Sequence, residues 1–339
     1  MAVSSAKPTH TPPHTARGWL DGFLRSYAQL FFSRSRLTGL LLVVATAIDP
    51  RLFGFGLLAV LLSLLLPRVL GFSPDLVRDG LFGYNALLVG LAGAAMLEPS
   101  WAAFGLTMLA VGGTIMATAA AQSALGGVFG LPILTVPFLA VVYLMLSAAP
   151  YLGIALVPFP GVEPLFGAGL TLGPLDPVLT SFGTVFFTPS VLTGLAILTA
   201  IVAFSRIGAT LAVAAALFVH LVGAYGLGGT DPTFIDVVAF NAAFTAVALG
   251  GIWFVPSPSS FATALGGVLL TVLIAVGLRP LFSQWGLPLL IFPFNASMLI
   301  FLWAMRQRIR DSHPKAVDFL PGTPEENLSY FLPRIARFG

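Results

Sequence analysis

Between Glu98 and Glu163 the chain carries no Asp, Glu, Lys, Arg or His. A stretch of that length without charge cannot clothe a surface that faces water, because a soluble fold needs polar side chains over most of its exterior. The rest of the sequence agrees. Charged residues make up 9% of the chain and hydrophobic ones 57%, with a mean hydropathy of +0.97, whereas about a quarter of residues are charged in soluble proteins. The solvent for most of this chain is lipid, and backbone groups that meet lipid must be paired within the fold. The expectation is an all-α integral membrane protein.

The net charge of +3 and the pI of about 9.5 do not imply nucleic acid, since the basic residues stand at the ends of apolar runs and form no stripe. With no cysteine in the chain, disulfides, thiolate metal sites and cysteine nucleophiles are excluded. Residues 1–18 begin MAVSSAKPTHTPPHTA, which lacks the apolar centre of a cleavable signal, and are expected to form a disordered cytoplasmic tail.

From Leu37 to Leu70 the chain is apolar except at Asp49-Pro50-Arg51, which reads as two spans joined by a tight turn. Further candidates are 80–97, 101–120, 131–148, 191–204, 207–228, 236–255, 261–278 and 287–305. That is about ten crossings of a ~30 Å hydrocarbon layer. Several runs are short or interrupted by Pro and Gly, as expected for broken or re-entrant helices around an enclosed cavity. Basic residues gather at the two ends: Lys7, Arg17, Arg25, Arg34 and Arg36, then Arg306, Arg308, Arg310, Lys315, Arg334 and Arg337. Both termini are therefore expected in the cytoplasm, which needs an even number of crossings.

An internal repeat organises these spans. SYAQLFFSRSRLTG from Ser26 matches SFGTVFFTPSVLTG from Ser181 at seven of fourteen positions, 155 residues apart. FGYNALLVG from Phe82 pairs with VAFNAAFTA from Val238, placing Asn85 over Asn241, and GLPILTVPF from Gly130 pairs with GLPLLIFPF from Gly286, both at a spacing of 156. Three blocks in one order at one spacing mark a duplicated unit. If each copy crosses an odd number of times, five, the second enters from the opposite side. The expected plan is two inverted, pseudo-symmetric repeats, residues 19–160 and 175–305, followed by a cytoplasmic C-terminal tail, 306–339. In such plans solute sites form near the midplane, where the repeats meet.

The blocks YAQLFFSRSRLTGLL, GLFGYNALLVGLA, QSALGGVFGLPILTVPF, VAFNAAFTAVALGGIWF and GLPLLIFPFN, over roughly residues 20–305, resemble the urea transporter family. The resemblance implies a homotrimer in a cell membrane, a bacterial inner membrane for a sequence of this kind, with a pore in each subunit that conducts urea passively. It also implies an outer site from Gln29, Phe32, Tyr84 and Leu88, an inner site from Thr184, Phe187, Phe240 and Phe244, and a middle lined by Thr135 and Ile291. The chemistry is coherent: a flat neutral diamide needs a slot that is apolar on its faces and hydrogen-bonding at its rim. The chain departs from the family pattern at Thr184, where Glu or Gln is usual, and at Ile291, where Thr is usual. The alternative solute is therefore ammonia, water or a less polar amide.

Blander readings stand beside these. Gln29 could be interhelical hydrogen-bond glue instead of a pore group, and for Asn85 and Asn241 the structural reading, as caps for unwound backbone, is preferred. Thr135, two residues before Pro137, either lines the pore or satisfies a carbonyl freed by the proline. His220 reads as packing or an interhelical bond, with no metal site. Asp49, Asp75, Asp79, Glu98, Asp231 and Asp236 read as solvated turn residues. The Asn-x-Ser strings at Asn295 and Asn327 are chance. No metal, cofactor, catalytic residue or nucleic-acid partner is expected, and the partners are the solute, the bilayer and other copies of the chain. With no paired carboxylates or nucleophile motif in the spans the chain is expected to be no enzyme, and with no ionisable residue between Glu98 and Glu163 an ion-coupled transporter is disfavoured.

Overall fold

The computed structural model describes residues 16–159, 166, 167, 169–226, 231–309, 313–317 and 322–335. Residues 1–15, most of the expected N-terminal tail, lie outside the described residues, and the first helix already begins at Ala16. In chain order the helices are α1 (Ala16–Ala28), α2 (Arg36–Ala47), α3 (Pro50–Val69), α4 (Pro74–Arg78), α5 (Gly83–Met96), α6 (Trp101–Ala121), α7 (Val136–Ala148), α8 (Asp176–Thr184), α9 (Val191–Phe204), α10 (Arg206–Gly226), α11 (Pro232–Val247), α12 (Pro258–Gln284), α13 (Phe292–Ala304) and α14 (Pro324–Ile335). Among the described residues the architecture is all helical, with two isolated β-bridges.

Local chemistry sets the helix starts. Ser35 and Ser190, equivalent positions of the repeat, accept hydrogen bonds from Thr38 N and Thr193 N at the heads of α2 and α9. Asp49 caps α3 by accepting from Arg51 N and Leu52 N, and Asp231 caps α11 through Thr233 N. Ser257 and Ser260 form a capping box on α12. Such caps satisfy amide groups that the first turn leaves without partners.

Five helices are long and apolar enough to cross a membrane: Pro50–Val69, Trp101–Val128, Arg206–Ala224, Pro232–Ile252 and Pro258–Gln284. A sixth arises if Ala16–Phe31 and Arg36–Ala47, bent by 81°, count as one span. Three other expected spans are shorter apolar helices, Gly83–Met96, Val136–Leu152 and Val191–Phe204, and α13 has 13 residues. Each is below the ~20 residues of a straight crossing. Proline and glycine explain part of this. Residues 129–135 before α7 and 285–291 before α13 are mostly non-helical, and each of those helices carries proline in its first turn, Pro137 and Pro293.

Helices α5 and α11 form the centre. Every residue from Gly83 to Met96 is buried, and 89% of the apolar window of α11 is buried against 28% for α12. The outer helices keep large apolar side chains on the surface, including Leu109, Leu144 and Leu273, as a lipid-facing wall requires.

The repeat reaches the backbone. Phe32 and Phe187 both adopt left-handed conformations, φ 61° and 60°, as do Leu134 and Leu290, φ 48° and 49°. These are costly for residues with a Cβ, about 1–3 kcal/mol each. The same bonds frame both phenylalanines: Phe32 N donates to Gln29 O and Ser33 N to Ala28 O, while Phe187 N donates to Thr184 O and Thr188 N to Gly183 O. The β-bridges also correspond, Leu97 with Leu156 and Phe254 with Ala316.

Helix crossings are equally close in both copies. A Cβ on Gly39 would stand 2.1 Å from Leu24 O, and one on Gly194 1.8 Å from Leu179 O. Gly39→Ala or Gly194→Ala is therefore expected to destabilise the protein by about 1–3 kcal/mol or more, seen as a lower melting temperature in detergent. Gly54→Ala, with nothing within 4 Å of the new carbon, is expected to raise it slightly, by about 0.5–1 kcal/mol.

Candidate functional site

The two helix breaks converge on the buried face of α5 and α11. Leu134 O, freed before α7, accepts from Tyr84 Oη at 2.6 Å and from Asn85 Nδ2 at 3.3 Å, while Asn85 Oδ1 accepts from Phe138 N at 3.1 Å. The second copy repeats this: Asn241 Nδ2 donates to Leu290 O at 2.8 Å and Asn241 Oδ1 accepts from Phe294 N at 2.9 Å. Each asparagine stitches the peptide before a break to the helix after it. Three bonds at this junction cross between copies. Tyr143 Oη donates to Leu289 O at 3.0 Å, and Asn295 holds Thr135 through Thr135 N to Oδ1 at 3.0 Å and Nδ2 to Oγ1 at 2.6 Å.

Two cavities flank this junction and share Leu30 and Ile291 in their walls. The first, about 220 Å³, is lined by Gln29, Phe32, Tyr84, Thr135, Ile291 and Phe244, with Trp253 and Phe294 beside them. Its rings form a box: Phe32 lies 6.0 Å from Phe244 at 79° and 5.3 Å from Trp253 at 86°, and Phe244 lies 5.6 Å from Phe294. The second, about 20 Å³, is lined by Leu88, Thr184, Phe187, Phe240 and Ile291, with Phe159 edge-on to Phe187 at 5.9 Å.

The polar groups are few and mostly committed. Gln29 Nε2 donates to Asp79 O at 3.0 Å, which anchors the side chain and leaves its carbonyl as an acceptor. The glue and lining readings of Gln29 are thus met by one amide. Thr184 Oγ1 donates to Thr180 O at 2.8 Å, so its hydroxyl can only accept from anything in the second cavity. Ile291 offers nothing polar.

The expected site residues all reach the two cavities, but not in the expected groups. Leu88, expected with Gln29, Phe32 and Tyr84, lines the second cavity, and Phe244, expected with Thr184, Phe187 and Phe240, lines the first. The reason is helical rise: one turn, about 6 Å, carries each central helix past the junction. The first cavity shares Pro132 and Trp253 with a vestibule bordered by Arg306, Arg308 and Val317. The Gln29 cavity thus lies on the face of the bundle that carries the C-terminal segment.

Other residues depart from their sequence readings. Asp236 is no turn residue: it lies within α11, one turn before Phe240, and accepts from Ser181 Oγ at 2.9 Å and Thr180 Oγ1 at 3.3 Å. His220 Nε2 stands 2.8 Å from the same Ser181 Oγ, an interhelical contact. Asn327 is buried, donating to Gly251 O at 2.8 Å, which docks α14 on the π-helical segment Ala248–Ile252 that leads into Trp253. Sequence reading missed Leu30, Gln122, Trp253, Phe294 and Asn295. Gln122, Trp253 and the FPFN string all lay in quoted blocks, yet no periodicity separates them from packing residues.

The two cavities lie between the helices of a bundle whose outer helices are long and apolar enough to cross a membrane. The sequence profile of the urea transporter family matches residues 20–306, and the chain belongs to that family of membrane transporters.

Replacing Asn241 by Leu leaves Leu290 O and the Phe294 amide without these partners, and replacing Asn85 by Leu leaves the Phe138 amide without its partner and Leu134 O with Tyr84 Oη alone. Each variant is expected to lose about 2–4 kcal/mol, read as a fall in melting temperature in detergent, whereas the exposed Ser123→Ala is expected to change little.

Proposed function

We propose that the chain conducts urea passively, each subunit through its own narrow pore running from the Gln29 cavity past Thr135 and Ile291 to the Thr184 cavity. The observation that carries this reading is that Phe32, Phe244, Trp253 and Phe294, packed on one another, line one cavity together with Gln29 and Thr135, so that an aromatic wall stands beside hydrogen-bonding groups. A neutral diamide stripped of water needs both, because unpaired polar groups in an apolar site cost several kcal/mol.

The proposal extends to ten crossings in two inverted repeats, with both termini cytoplasmic and three copies assembled as a trimer. Contacts along the chain support the inversion. Arg51, at the head of α3, donates to Leu97 O at the end of α5, and Glu98 N donates to Ala155 O after α7. These elements share one face. Ile207 N, at the head of α10, donates to Glu325 on α14, and Arg306, after α13, donates to Gly130 O after α6. Those share the other. The first copy then ends on the face opposite the one where the second ends. Counting 129–152 and 286–305 as broken spans supplies the crossings that straight helices lack.

The second reading, a thinner or less polar solute such as ammonia, water or a less polar amide, is favoured by Ile291 and by the spent proton of Thr184. Light scattering from proteoliposomes decides: urea flux well above empty liposomes is expected, and its absence beside strong ammonia or water flux would favour the second reading. Gln29→Ala is expected to lower urea flux about tenfold, the loss of one hydrogen bond of ~1.4 kcal/mol, with the assembly intact. Unfolding of that variant would instead favour a purely structural Gln29.

A further inference from the structure

We infer that Asn295 is a positioning residue of the pore, acting through Thr135: it turns the Thr135 hydroxyl into a donor aimed at the passing solute, which makes the constriction selective for strong acceptors such as a carbonyl oxygen. The inference rests on the pore reading above.

Asn295 is buried at the start of α13, and its neighbours fix its orientation. Thr135 N can only donate, so the atom it meets at 3.0 Å is Oδ1. Ile291 O can only accept, so the atom it meets at 2.8 Å is Nδ2. The amide therefore has one consistent assignment. Its remaining Nδ2 proton goes to Thr135 Oγ1 at 2.6 Å. Both amide protons are then spent and the hydroxyl is the acceptor in that bond. Its own proton has no acceptor among the described residues, although Thr135 is 94% buried, at 6% exposure. What it faces is the first cavity, of which Thr135 is a wall.

The grip exists on one side only. The position equivalent to Asn295, 156 residues earlier, is Leu139, and the position equivalent to Thr135 is Ile291. The constriction thus presents one hydroxyl with a fixed role against an apolar side chain. A hydroxyl free to rotate would accept from an N–H as readily as donate. Held by Asn295, it donates.

Urea and thiourea test this, being alike in shape but unlike in acceptor strength. In proteoliposomes of the full chain the permeability ratio of urea to thiourea is measured for the wild type, Thr135→Val, Asn295→Asp and the double variant. Asn295→Asp keeps the bond from Thr135 N but replaces the amide donor with an acceptor, so the hydroxyl turns away from the cavity. Both single variants are expected to lower the ratio about tenfold, and the double variant no further than Thr135→Val. Asn295→Leu, which copies Leu139, serves if the aspartate variant does not reconstitute, with the same non-additivity expected. An unchanged ratio in the Asn295 variants, or a second independent fall in the double variant, overturns the inference and leaves the pore reading standing. A wild type without urea flux overturns both.

Discussion

Two broken helices inside a lipid-solvated bundle leave carbonyls and amides that no water can reach, and the rest of the structure depends on how those groups are satisfied. Asn85 and Asn241 do it from the two central helices, each with one acceptor and one donor across a gap. Without them the extended stretches before α7 and α13 would each bury unpaired backbone, at a cost of about 1–3 kcal/mol per group. With them, irregular backbone becomes tolerable at membrane depth, and it borders a cavity where a regular helix would fill the space. The cavities are thus a product of the breaks, and two asparagines make the breaks tolerable.

How much of this was legible depended on how far the signal was repeated. The duplicated blocks paired Asn85 with Asn241, because one spacing linked all three. The same comparison marked Phe32 with Phe187, and both prove to have the same strained backbone. The grouping implied by the resemblance differs from the cavity walls at Leu88 and Phe244, since residues one turn apart on a central helix fall on opposite sides of a junction that only the third dimension reveals. Asn295 was hidden for a different reason. Its partner lies 160 residues away and its repeat equivalent is Leu139, so neither local pattern nor pseudo-symmetry pointed to it. Helix length was also overestimated, since apolar runs such as 287–305 do not reveal where a proline and a positive φ will interrupt them.

The two halves agree in backbone and differ in chemistry. At one mouth Arg25 pairs with Asp79 at 2.8 Å while Gln29 leans on the same residue's carbonyl. At the corresponding place in the second half Thr180 replaces the arginine, Ser181 stands where Ser26 does, and a carboxylate, Asp236, accepts from both hydroxyls while His220 meets the Ser181 hydroxyl. A duplicated scaffold that keeps its hydrogen-bonded breaks can therefore vary the polarity of its two entrances separately. The C-terminal segment adds to one entrance alone: the bridge from Phe254 to Ala316 and the bond from Asn327 to Gly251 O hold the backbone on either side of Trp253.

Phe32 and Phe187 sit where glycine would rest more comfortably. A left-handed residue with a large side chain is a standing cost to stability, and here that side chain is the ring that walls each cavity. Selection for a sturdier fold alone would discard these phenylalanines. In the proposed pore, the strain at both turns is what places an aromatic ring in the solute's path, a trade of robustness for permeation.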